Sequence, residues 1–217
     1  MSKYKLAIFD LDGVIVDTAK YHFLAWKDLA NKLGSNFTEA DNERLKGVSR
    51  WRSLDILLEV GGLTGKFTEE EKSEMAESKN NLYVSYIKKL RQDEILPGAR
   101  ELIQLMRSQG MKTAIGSASK NTPLILERLN LTDPFDIIVD GNNTQKAKPD
   151  PEVFTLAADA LGVKYTDCLV FEDSQAGIDA ALCVGMSVVG VGSPDNLKGA
   201  LLCVDGLDAF SLHQVDR

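Results

Sequence analysis

The chain has 217 residues, 44% hydrophobic and 26% charged, enough to bury the core of one large domain or of a domain carrying an insertion. Six prolines and 17 glycines exclude collagen-like and low-complexity chains. With 32 acidic against 25 basic side chains and a net charge of -7, nucleic acid and anionic membrane are excluded as partners, while a small anion in a local basic pocket is not.

Cys168, Cys183 and Cys203 are odd in number and lack metal-ligand spacing, which predicts a reduced, cytoplasmic protein. Asp10 and Asp12 interrupt the apolar start Leu6–Val16, so neither export nor membrane insertion is expected.

In chain order, apolar runs of strand length occur at Lys5–Leu11, Met111–Ser117, Phe135–Val139, Cys168–Glu172 and Met186–Val191. Their near-continuous Ile, Val, Leu and Ala content predicts strands covered on both faces, as in a parallel sheet. Helical patterns separate most of them: Pro97–Gln109, Thr122–Leu129, Pro151–Leu161 and Ser174–Val184, with Gly110, Gly162 and Gly185 as stops. The alternation predicts a doubly wound α/β fold. Between Val16 and Ile95 the rhythm breaks into amphipathic helical stretches at about Ala19–Leu33, Arg52–Glu59 and Glu69–Leu90. So long an interval exceeds an ordinary crossover and predicts an all-helical domain inserted after the first strand. The expected division is residues 1–15 and 95–217 for the α/β core and 16–94 for the helical insertion.

Ligands of open α/β sheets bind beyond the carboxyl ends of the strands. There the sequence places Asp10-Leu11-Asp12-Gly13, Ser117-Ala118-Ser119-Lys120-Asn121 and Glu172-Asp173-Ser174, with Lys148-Pro149-Asp150 before a helix. Asp-Leu-Asp-Gly alone also reads as a turn, and its spacing does not fit a calcium loop. If Asp10, Asp12, Glu172 and Asp173 converge, each pair of carboxylates about 5 Å apart repels by roughly 3 kcal/mol. Such a cluster needs protons or a cation, and all-oxygen ligands favour Mg²⁺. Lys148 beside it, with the Ser117 hydroxyl, suits a phosphoryl group as the third partner. Asp10, ending its strand, is the better-fixed nucleophile; Asp12, past the strand end, is placed to trade protons. Gly190-Val191-Gly192 does not open the first strand–helix turn, which argues against dinucleotide binding.

These residues, Asp10-Leu11-Asp12-Gly13, Ser117, Lys148 and Glu172-Asp173, resemble the motif set of haloacid dehalogenase superfamily phosphotransferases. The resemblance implies a Rossmann-like core with a helical cap after the first strand, and a C-terminal helix abbreviated by the chain's end soon after Leu212. It implies that Asp10 carries the phosphoryl group and Asp12 is the general acid/base. Mg²⁺ would be held by Asp10, the Asp12 carbonyl, Glu172 and Asp173, and the transferring phosphate by Ser117 and Lys148.

Within that superfamily Tyr21-His22-Phe23 with Trp26, Lys46-Gly47-Val48-Ser49-Arg50 and the Ser119-Lys120-Asn121 run resemble a sugar-phosphate mutase branch. The implied reaction interconverts β-glucose 1-phosphate and glucose 6-phosphate, with β-glucose 1,6-bisphosphate as primer and intermediate. Arg50, Ser119, Lys120 and Asn121 would bind the distal phosphate; His22, Trp26, Lys46, Gly47, Val48 and Lys79 would line the cap side of the sugar pocket. Small-molecule sugar phosphates are the expected partners and a monomer the expected state. One alternative shares every core residue, a Mg²⁺-dependent sugar-phosphate phosphatase with water as acceptor; another, a phospho-receiver module, also combines an Asp cluster, Lys and Mg²⁺ on an α/β sheet, but the helical insertion and Asp12 argue against it.

Overall fold

The computed structural model describes residues 3–45 and 48–215. Six strands form one parallel sheet in the order β3-β2-β1-β4-β5-β6: β1 Leu6–Phe9, β2 Lys112–Gly116, β3 Ile137–Val139, β4 Cys168–Glu172, β5 Ser187–Val191 and β6 Leu202–Val204. From β1 the chain builds outward on one side to β3, then returns to β4 and builds outward on the other. The order therefore reverses between β1 and β4, where an open α/β sheet has its ligand crevice.

The strands are apolar on both faces because both faces are covered. Ala7, Phe9, Ile115 and Phe171 pack with Leu102, Ile103, Met106 and Leu126 from α5 Ala99–Ser108 and α6 Thr122–Leu129. Leu6, Ile8, Ala114 and Val170 pack with Phe154, Ala158 and Ile178 from α7 Glu152–Leu161 and α8 Gln175–Leu182. A mixed α/β Rossmann-like core results.

Between Val16 and Ile95 the described residues form four α-helices: α1 Ala19–Lys32, α2 Glu39–Glu43, α3 Arg50–Val60 and α4 Glu69–Ile87. Trp26, Leu29, Phe37, Leu54, Leu57 and Leu58 give them a core of their own. The chain leaves and re-enters the sheet region side by side, with Val16 bridged to Ile95 in an antiparallel pair. Ser49 and Thr68 cap α3 and α4 by accepting hydrogen bonds from the Arg52 and Glu71 amides.

Some element boundaries differ from those expected. β1 stops at Phe9, before the polar loop. The helix expected from Pro97 begins at Ala99 because Gly98 takes a left-handed φ of 78°, and a side chain there would strike the backbone of Asp208. α2 and β6 were not expected. α2 is one short turn held by a capping box between Thr38 and Asp41, and β6 is a three-residue strand whose order comes from pairing with β5.

Candidate active site

Parallel pairing of β1 with β4 puts Phe9 opposite Phe171, and the Asp10 amide continues the ladder by donating to the Phe171 carbonyl at 2.9 Å. Asp10 and Glu172 thereby leave neighbouring strand ends at the sheet's switch point. One ligand oxygen each from Asp10, Glu172 and Asp173 lies within 4.8 Å of the others. Lys148 bridges the first two, its Nζ 2.5 Å from Asp10 Oδ1 and 2.8 Å from Glu172 Oε2. Glu172 is further fixed by the Ser174 hydroxyl and amide at 2.6 and 3.1 Å.

The charges do not balance. Burial, assisted by Glu172, Asp173 and Asp12, pushes the Asp10 carboxyl well above the ordinary carboxylate range despite Lys148. Burial alone would lower Lys148, but Asp10 and Glu172 outweigh it and hold the ammonium firmly protonated. One lysine against three clustered carboxylates leaves a net negative, all-oxygen site, which fits a hard divalent ion such as Mg²⁺. Two glycines make room for these carboxylates: a Cβ on Gly13 would strike the Asp173 carboxylate, and one on Gly177 the Glu172 carboxyl.

Asp12 sits just beyond, hydrogen-bonded by the Thr18 hydroxyl. Burial raises its pKa, a shift the Thr18 bond and Lys148 partly offset. On the core side, Ser117 is buried at the end of β2, its hydroxyl accepting the Ser119 amide at 3.1 Å; the Ser119 hydroxyl in turn accepts the Asn121 amide at 3.2 Å.

The helical insertion closes the other side. Lys79, 4% exposed, lies over the rings of Trp26 and Tyr83 and 2.7 Å from His22 Nδ1. Burial, then Arg50, holds Lys79 well below the usual lysine range; burial, then Lys79 and Arg50, does the same to His22. Arg50 begins α3 and reaches α4, its Nη2 2.8 Å from Asn80 Oδ1.

One cavity of about 230 Å³ collects these side chains. It is lined by Asp10, Asp12, Ser117, Ser119, Lys120, Asn121, Lys148, Glu172 and Asp173 from the core, and by His22, Trp26, Val48, Arg50 and Lys79 from the helices. Trp26, 2% exposed, is the floor beneath Lys79 rather than an open face. Lys46 and Gly47, also expected here, lie outside the described residues. Sequence reasoning passed over Asn42, Trp51, Ser53 and Asn80, which line the same cavity. Asn80 directly follows Lys79 and could have been flagged by that adjacency.

The model of the haloacid dehalogenase-like hydrolase family matches residues 4–185. The β-phosphoglucomutase of Bacillus subtilis strain 168 is 46% identical over 200 residues, covering 92% of this chain and 88% of that protein. A phosphorylated-carbohydrates phosphatase of Thermotoga maritima is 32% identical over 181 residues, covering 82% of this chain and 81% of that protein. Among solved structures, the β-phosphoglucomutase of Clostridium difficile superposes with a TM-score of 0.93 at 44% identity, covering 98% of this chain and 95% of that one.

Proposed function

Because the chain belongs to the haloacid dehalogenase-like hydrolase family, we propose that its cavity runs the mutase branch of that chemistry. On this reading the protein interconverts β-glucose 1-phosphate and glucose 6-phosphate through a phosphorylated Asp10 and β-glucose 1,6-bisphosphate. The observation that carries it is one cavity that joins Asp10, Ser117 and Lys148 to a second pair of phosphate-capable donors, Arg50 and Asn121, which meet at Asn80. A phosphatase needs the first group alone; moving a phosphoryl group between two positions of one sugar needs both.

Each residue has a task. The phosphorylated Asp10 carboxylate gives its phosphoryl group to a sugar hydroxyl while Asp12 takes that hydroxyl's proton. The bisphosphate then turns end for end. Asp10 attacks the other phosphorus, and Asp12 returns the proton to the departing sugar oxygen. Asp12 suits both directions because burial raises its pKa toward the working range. Lys148 and Ser117 hold the equatorial oxygens of the moving group. Mg²⁺, held by Asp10, Glu172, Asp173 and the Asp12 carbonyl, would supply Lewis-acid charge to the same oxygens. Arg50, Ser119, Lys120 and Asn121 grip the idle phosphate, while His22, Trp26, Val48 and Lys79 face the sugar. Residues 1–15 with 95–217 serve as the catalytic core and 16–94 as the closing cap, whose closure excludes water as a competing acceptor.

The similarity to a Thermotoga phosphatase keeps hydrolysis as the competing outcome. A coupled assay should show glucose 6-phosphate formed from β- but not α-glucose 1-phosphate, accelerated by bisphosphate primer. Release of inorganic phosphate with no glucose 6-phosphate would overturn the mutase reading. The net charge of -7 and the three unpaired cysteines favour a cytoplasmic monomer acting on small molecules, which gel filtration and fractionation test.

A further inference from the structure

Arg50 and Asn121 approach the cavity from opposite sides, one from the start of α3 in the helical insertion and the other at the N-cap of α6 in the core. Both end on a single atom. Asn80 Oδ1, midway along α4, accepts from Arg50 Nη2 at 2.8 Å and from Asn121 Nδ2 at 3.1 Å. The assignment is not ambiguous: a guanidinium only donates, so the Asn80 oxygen must face it, and the group meeting that oxygen from Asn121 must be the amide nitrogen. The two donors therefore already converge on one oxygen, as they would on a phosphate oxygen.

We infer that Asn80 is the positioning residue of the distal phosphate subsite, its carboxamide oxygen aligning Arg50 and Asn121 across the cleft and yielding them to the phosphate. This rests on the reading of the cavity as a sugar-phosphate site. The choice of a neutral acceptor matters. Arg50 is half-buried and needs a hydrogen-bond partner, yet a carboxylate there would cancel the charge that must attract a dianion. A carboxamide satisfies the geometry and leaves the positive charge intact. Asn80 also ties the helical insertion to the core directly, so each donor is held near its working position before ligand arrives.

Two substitutions separate alignment from charge. Asn80→Asp keeps the acceptor but pairs it ionically with Arg50; Asn80→Ala removes the acceptor without adding charge. Binding of glucose 6-phosphate and of inorganic phosphate is read from the fluorescence of Trp26 and Trp51, both in the cavity wall, on Mg²⁺-loaded protein. Asn80→Asp is expected to raise both dissociation constants about tenfold or more, as loss of a charge-assisted contact does. Asn80→Ala is expected to raise them about threefold, the KM for β-glucose 1-phosphate following while kcat at saturation stays within about twofold. A merely structural residue would instead lower Tm and kcat together. Binding within twofold of wild type in both variants, or loss of kcat with unchanged affinity, would overturn the inference. If Asn80→Asp does not fold, Asn80→Ala decides. The two readings fail separately: a wild type that forms no glucose 6-phosphate removes the mutase, while phosphate binding still reports on Asn80.

Discussion

Lys79 Nζ lies 2.7 Å from His22 Nδ1, a buried ammonium whose nearest hydrogen-bond partner is an imidazole rather than a carboxylate. While Lys79 is protonated it can only donate, so Nδ1 then accepts and the neutral ring carries its proton on Nε2. The ring is further held by stacking on Tyr83, centroids 3.9 Å apart.

A pH prediction follows from this pair. Burial, then Lys79 and Arg50, lowers the His22 pKa well below 6.5. The unfolded chain therefore takes up its proton first as the solution is acidified. Stability is fully present above about pH 6.5 and is lost as the pH falls from there through the folded-state value, by at most about 1.4 kcal/mol per pH unit for one proton. His22→Gln, which cannot titrate, should flatten the wild-type fall in Tm between about pH 6.5 and 5. Equal slopes for the two proteins would contradict the assignment.

Lys79 obeys the same sign over a higher window, its folded pKa lying well below 10.5, chiefly through burial. At neutral pH the buried lysine therefore costs stability that a bound anion recovers. Lys79→Met should melt higher than wild type without ligand and respond less to added glucose 6-phosphate, as trade-offs between stability and function require. Paired melting curves with and without the sugar phosphate check both halves.

Lys148 is the opposite case, a buried cation between two carboxylates. Lys148→Met leaves Asp10 and Glu172 buried without it and should cost about 3–5 kcal/mol at neutral pH. Asp10 is raised, chiefly by burial, so it stabilises the fold below its unfolded value near 3.8 and loses that contribution as pH rises. The deficit should thus be largest near pH 8 and narrow toward pH 4.5. A deficit independent of pH in melts across that range would show that packing against Phe154, over whose ring the ammonium sits at 4.9 Å, matters more than charge.

What the sequence made legible, and what it did not, divides along physical lines. The convergence of Asp10 with Glu172 and Lys148 was readable because strand ends of a parallel sheet share one edge, and apolar runs locate those ends well. Asn42, Ser53 and Asn80 were not, because their roles depend on which face of a helix meets the cleft. α4 is too evenly polar, from Glu69 to Asn81, to show that face by periodicity. α2 did carry a signal, since Thr38 followed by Asp41 is a capping-box spacing. β6 carried none, because three residues order only when β5 is beside them.

The carboxylate cluster predicts metal-linked stability. Mg²⁺ at about one hundred times its dissociation constant should add about 2.7 kcal/mol to the folded state. Asp173→Asn should shrink that increment, because it turns one of three clustered carboxylate ligands into a neutral amide. Differential scanning of both proteins across a Mg²⁺ series, with chelator as the zero point, reads the difference. An undiminished rise in the variant would move the metal away from Asp173.

Gly177 gives the sharpest test of the site's geometry. It lies in the first turns of α8, where alanine would ordinarily stabilise a helix by about 1 kcal/mol. A Cβ at this position would overlap the Glu172 carboxyl, with Cγ of Glu172 only 2.5 Å away. Glu172 cannot retreat freely, since Ser174 and Lys148 hold both of its oxygens. Gly177→Ala should therefore push Glu172 out of the cluster, lowering Mg²⁺ affinity and turnover about tenfold or more, as loss of a metal-orienting contact does. Gly185→Ala is the control in the loop after the same helix. Its left-handed φ of 80° costs stability, but no atom of the active site lies within 4 Å of its Cβ. Isothermal titration with Mg²⁺ distinguishes them: affinity should fall in the first variant and hold in the second. The reverse pattern would mean that Glu172 does not hold the metal.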